Sequence, residues 1–149
     1  MKKYKIILTL LFLLVILILG GVFYFFKTEK DKNIDDNIVS LGNCSIDIEA
    51  VSTEEMMKKG LSNRDSLCEN CGMLFLFGEE GNHFFWMKDM RFPIDIIWLR
   101  NNKVVDISQD VSHKSKSSHS SKEKVDKVLE LNANAVSRCE IEIGDKLKD

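Results

Sequence analysis

Four cysteines, Cys44, Cys68, Cys71 and Cys139, and a set of ionisable groups lodged among aromatic side chains are the parts of this 149-residue chain equipped for chemistry. Cys68 and Cys71 stand in a Cys-x-x-Cys arrangement, a spacing shared by disulfide turns, redox dithiols and half of a zinc site. In an oxidising compartment pairing is the default. Of the three possible connectivities, a local Cys68–Cys71 bridge with a Cys44–Cys139 bridge joining the two ends of the domain is the one expected. A redox thiol draws a low pKa from a helix N-terminus, whereas this pair precedes a run that reads as strand. Zinc on Cys68 and Cys71 would need two further ligands, for which Cys44, Cys139 and His83 are candidates, and a single Cys-x-x-Cys is a weak metal signal. No cofactor is implied.

Asp95 is flanked by Pro93, Ile94, Ile96, Ile97 and Trp98, so its carboxylate is expected inside the fold, where it needs a cation or several donors. Arg64 and Lys88 are the candidate cations. Two readings stand side by side: an ion pair that fixes strand register, or a polar pocket whose carboxylate binds or protonates a small ligand. Trp86 divides the same way, between core packing and a stacking platform for a sugar or ring. The candidate ligand site therefore comprises Arg64, Trp86, Lys88, Asp89 and Asp95. His113, Lys114, Lys116, His119, Lys122 and Lys124 make a basic, Ser-rich stretch that reads either as a solvated loop or as a contact for lipid head groups or an anionic envelope polymer. No Gly-rich phosphate loop, nucleophile elbow, His-Glu-x-x-His or paired-carboxylate motif is present, so no catalytic residue is assigned and the reading leans away from an enzyme.

The elements that must hold these groups are mostly strands. Residues 45–51 alternate apolar and acidic, the pattern of a half-buried strand. Ser52 with Glu55 forms a capping box, and Gly60 sits where a left-handed C-cap belongs, which predicts a short helix over 53–59. Residues 73–77, 83–87, 94–99 and 103–107 read as four successive strands in a meander, with Asn101-Asn102 as a tight hairpin turn. Phe84, Trp86 and Lys88 would share one face of the second and Phe85, Met87 and Asp89 the other, making it a central strand. Residues 110–124 read as an exposed loop, 127–131 as strand, and Asn132 as the cap of a helical turn through Val136. Residues 141–147 close the chain around a Gly144-Asp145 turn.

Ahead of the domain, residues 6–26 carry no charge, and 21 residues at about 1.5 Å each reach about 31 Å, close to the thickness of a bilayer's hydrocarbon core. No small-x-small cleavage site follows, so this reads as an uncleaved signal anchor. The short basic N-terminus, residues 1–5, favours a cytoplasmic start and a domain outside the cell. Residues 27–43 read as a linker and 44–149 as a single domain, since roughly 105 to 120 residues support one core. That exported part carries 18 basic and 23 acidic side chains, a net of −5, which argues against nucleic acid as partner.

The motifs Gly60-Leu61, Arg64, Gly72-Met73-Leu74-Phe75 with Phe77, Phe85-Trp86-Met87-Lys88, Pro93-Ile94-Asp95, Val104-Val105, Leu129-Glu130-Leu131 and Gly144-Asp145 together resemble the family called domain of unknown function 192. The resemblance covers nearly the whole exported part. It implies a compact sandwich-like β fold and supplies no catalytic residues; with the elements above, the expected fold is a mainly β single domain with an α+β tendency, sandwich-like or barrel-like with one or two short helices, preceded by the transmembrane helix read from residues 6–26. The Cys-x-x-Cys before Gly72 and the proline-free 110–124 loop depart from the family pattern. The expected function is a membrane-anchored extracytoplasmic module that binds a small molecule or envelope polymer; the alternative is a thiol-redox or zinc-dependent enzyme using Cys68 and Cys71.

Overall fold

The structure, a computed structural model, describes residues 37–148. The apolar run 6–26, the N-terminus before it and most of the linker lie outside the described residues. Among the described residues no helix is long and apolar enough to cross a membrane.

Six strands form one curled sheet, a half-barrel rather than a two-sheet sandwich: β1 (Ile38–Leu41), β2 (Cys44–Val51), β3 (Cys71–Gly81), β4 (Ile94–Arg100), β5 (Lys103–Val111) and β6 (Val125–Asn132). Two short helices accompany them, α1 (Glu54–Lys59) and α2 (Ala135–Arg138). The strand order is β1-β2-β3-β6-β4-β5, so the expected meander is corrected. β6 inserts between β3 and β4 and pairs antiparallel with both, while β2 and β3 run parallel. A parallel pair demands a crossover, and α1 with the turns after it supplies one.

β6 is central because both of its faces are buried. Leu129 and Leu131 enter one core with Leu74, Ile97 and Leu99, covered by Ala135, Val136, Cys139, Ile141 and Leu147. Val128 enters a second core on the other face with Met73, Phe75, Ile96 and Trp98, covered by Leu61 and Met87 and packed by Met57 and Phe85. The period of two along each strand therefore assigns neighbouring residues to different cores. β1 falls inside the stretch read as linker: Val39 and Leu41 alternate into the first core, and antiparallel pairing with β2 satisfies the backbone. Gly42 closes that hairpin at φ +57, and a Cβ there would stand 2.1 Å from the carbonyl oxygen of Cys139.

Several local expectations are met and several are shifted. Thr53, not Ser52, caps α1, its Oγ1 accepting the Met56 N–H at 3.3 Å. Gly60 follows with positive φ but ψ −136°, outside the left-handed helical well. Asn101 and Asn102 make the β4–β5 turn with φ of 51° and 62°. Asn132 does not cap α2; its amide donates to the carbonyls of Leu67 and Cys68, and Asn134 precedes the helix instead. Residues 83–87 are not a strand. They make one isolated bridge, Phe85 to His119, and otherwise run as loop across the second core.

Candidate functional site

α1, the turn following it and the loop through Met90 stand over the second core and leave a cavity of about 320 Å³ between them. Phe75 on β3 and Glu130 on β6 reach it from the sheet, Met57, Leu61, Phe85 and Met90 wall it, and Phe84, Trp86, Lys58 and Lys59 also line it. Phe84 and Trp86 are 70% and 66% exposed, an uncommon state for aromatics of that size and one that marks the mouth.

Glu130 is the residue that gives this cavity its chemistry. Strand alternation sends it to the same face as Val128, opposite Leu129 and Leu131, and it is only 6% exposed. Its carboxyl makes no hydrogen bond or ion pair with another described residue. Burial alone pushes its pKa up from 4.5 to about 8, so at neutral pH it is mostly the uncharged acid. A protonated carboxyl presents an O–H donor and a carbonyl acceptor side by side.

The walls are pinned rather than loosely draped. Phe85 exchanges both backbone hydrogen bonds with His119, at 2.8 and 2.7 Å, and its ring stands edge-on to Phe75 at 4.8 Å and to Trp98 at 5.5 Å. The basic stretch read from the sequence as a free loop therefore anchors one wall of the cavity at His119. Asn63 and Asp89, both at positive φ, join the two walls where the Asn63 N–H meets the Asp89 carbonyl at 2.8 Å. The Ser62 hydroxyl donates to the Lys88 carbonyl at 3.0 Å beside them.

The residues expected to form one site are divided by the sheet. Trp86 is at the cavity mouth, with the Lys88 ammonium 5.4 Å from its ring centroid, so the core-packing reading is corrected: the ring is largely exposed. Asp89 is on the adjoining turn. Arg64 is elsewhere, bound to Glu49 at 2.7 Å in a separate groove that also includes Cys71. Asp95 is buried as expected but faces the first core, and neither Arg64 nor Lys88 reaches it. A β-bulge between β4 and β5 leaves the Asp110 N–H without a strand partner, and Asp95 takes it at 2.8 Å. Its other oxygen accepts the Val136 N–H of α2 at 2.9 Å, one of the amides a helix start leaves unpaired. Asp95 thus ties the bulge to the helix and is not part of the cavity.

Cys44–Cys139 and Cys68–Cys71 are both disulfide-bonded, the expected connectivity. No group of three or more His, Cys, Asp and Glu residues able to hold a metal occurs among the described residues. His83 stacks on Phe77 at 3.5 Å with its Nε2 buried and unpartnered, away from all four sulfurs' pairing. Glu130 is not among the sequence candidates, although it lies within the Leu129-Glu130-Leu131 motif. The available signal was an acid between leucines in a strand whose other face is also apolar.

Residues 38–148 match the sequence profile of the family DUF192, described as Uncharacterized ACR, and the chain belongs to that family. No curated protein matches it. Two solved structures resemble it closely in fold. One is a candidate transcription regulator from Sinorhizobium meliloti, 28% identical, with a TM-score of 0.70 over 74% of this chain and 89% of that one. The other is a protein of unknown function from Novosphingobium aromaticivorans, 26% identical, with a TM-score of 0.71 over 75% of this chain and 84% of that one.

Proposed function

We propose that this member of the DUF192 family is a small-molecule-binding module whose site is the cavity over Phe75 and Glu130, carried outside the cell on a membrane anchor formed by residues 6–26. The observation that supports it is the unpartnered Glu130 carboxyl within a cavity rimmed by exposed Phe84 and Trp86. Burying a carboxyl without a partner costs free energy and gives the fold nothing back, whereas a ligand that meets it recovers that cost on binding. The envelope setting rests on the uncharged 21-residue run, on four cysteines all joined in disulfides, and on a net charge of −5 beyond the run, which repels nucleic acid. The regulator description of the Sinorhizobium protein is therefore not extended to this chain.

Native mass spectrometry of the full-length chain released from detergent micelles tests the binding reading. A co-purified small molecule that disappears in Trp86→Ala, with thermal stability unchanged because that ring is largely solvated, is the expected result. Equal occupancy in both proteins would move the site elsewhere. A reporter fused after Asp149 tests the setting, and activity on the cytoplasmic side would overturn it.

A further inference from the structure

Resting on the reading that the cavity binds a small molecule, we infer that its ligand is a flat ring carrying a cis-amide edge, as in a lactam or cyclic imide, together with an anionic group. The amide edge pairs with the Glu130 carboxyl, and the anion meets the lysines at the mouth.

The interior selects the ring. Among the side chains that line it, Phe75, Phe85, Met57, Leu61 and Met90 are apolar; Glu130 is the buried polar one, and the half-buried Ser62 hydroxyl already donates to the Lys88 carbonyl. A pyranose bears hydroxyls around its whole perimeter, and all but one or two of them would lose water there without finding a partner. A flat unsaturated ring has two apolar faces for aromatic walls and confines its polarity to an edge. At about 320 Å³ the cavity stands at the low end of ligand pockets, enough for one substituted ring.

Glu130 selects the edge. Kept as the uncharged acid by burial, it offers one donor and one acceptor on parallel axes. A carboxylic ligand would complement them only if it too stayed protonated, which costs free energy at neutral pH. A cis-amide presents N–H and C=O in the reciprocal order and satisfies both partners while remaining neutral.

The rim selects the charge. Lys58 is engaged by Glu54, which also lines the cavity, at 2.6 Å, whereas Lys59 in the lining and Lys88, outside the lining but over the Trp86 ring, make no ion pair with another described residue. Two cations beside an opening favour a ligand whose outer end is an anion.

The test is ligand-observed NMR on the full-length chain in micelles with four probes: 6-oxo-1,6-dihydropyridine-3-carboxylate, its N-methyl derivative, benzoate and glucose. The lactam should bind about tenfold or more tighter than the N-methyl derivative, which has lost the donor. Glu130→Gln, whose amide keeps a donor and an acceptor, should retain that preference, and Glu130→Leu should abolish it. Raising the pH above 9 should weaken wild type and spare Glu130→Gln. Equal binding of both pyridones, or an unaffected Glu130→Leu, overturns the amide pairing. Displacement of a bound probe by glucose or benzoate alone would refute this ligand class while keeping a binding site, whereas silence from all four probes with no co-purified molecule would refute both.

Discussion

Replacing Glu130 with glutamine should make the protein more stable at neutral pH, and the gain should vanish in acid. The folded protein holds this carboxyl at a pKa of about 8 against 4.5 when it is solvated, because the cavity floor strips its water and offers no partner. Below pH 4.5 the acid is protonated in both states and folding involves no proton. Between 4.5 and 8 the unfolded chain ionises while the folded one stays neutral, so stability falls as pH rises; above 8 the loss is complete. At pH 7 about two and a half pH units at about 1.4 kcal/mol each give about 3 kcal/mol, rising to about 5 kcal/mol at pH 9, both upper limits. Glutamine buries a neutral polar group of nearly the same shape at every pH, so it escapes the penalty. For a domain of this size about 3 kcal/mol corresponds to roughly 10 °C in melting temperature. Emission from Trp98, buried in the same core, follows unfolding of both proteins at pH 4, 7 and 9. The two should nearly coincide at pH 4 and diverge up to about pH 8. Parallel curves across that range would mean that Glu130 is ionised in the folded state or paired with a group the cavity does not reveal, and the donor role assigned to it would fall.

Asp95→Asn should destabilise by about 1–3 kcal/mol, because an amide can accept from only one of the Asp110 and Val136 N–H groups and turns its own N–H toward the other. Equilibrium urea unfolding measures it, and probe binding should be untouched; changed binding at unchanged stability would contradict the placement of Asp95 on the far face. The two disulfides should differ in weight, since Cys44–Cys139 closes a span of 95 residues and Cys68–Cys71 one of 3. Chain entropy gives about 4–5 kcal/mol for the double serine variant of the first and about 2 for the second. Equal shifts in denaturation midpoint would show that the entropy of the unfolded chain is not what these bridges restrict.

What the sequence discloses here is what short-range physics decides. Alternation in residues 45–51, the stop at Gly60 and the Asn101-Asn102 hairpin each depend on a few neighbouring backbone angles, and each is found close to where the residues place it. Strand order depends instead on which distant segments bury each other. Nothing local in residues 125–132 announces that they separate β3 from β4, or that β2 and β3 run parallel. Residues 83–87 mislead because five consecutive residues with three aromatics imitate a strand, whereas Phe84 and Trp86 are exposed at the rim of a cavity rather than packed in a sheet. The candidate site was half legible in consequence. Trp86 and Lys88 stand together at the cavity mouth, while Arg64 and Asp95, candidates by their charge, are engaged by Glu49 and by backbone amides.

Asp95 and Glu130 separate the two uses to which a sheet can put a buried acid. In the β4–β6 ladder Asp95 stands opposite Leu131 and Ile96 opposite Glu130, a difference of one residue that turns the carboxyls to opposite faces. On the face closed by α2, the bulge and the helix start each present an amide without a partner, and the acid there answers a need of the fold. On the face crossed by α1 no amide among the described residues donates to Glu130. A leucine at that position would fill the same volume, remove a penalty of several kcal/mol at neutral pH and leave the ladder intact. Folding therefore gives no reason for glutamate at position 130. On the proposed binding reading the reason is the ligand that enters the cavity, and the variant that stabilises the protein is the one that should expose it.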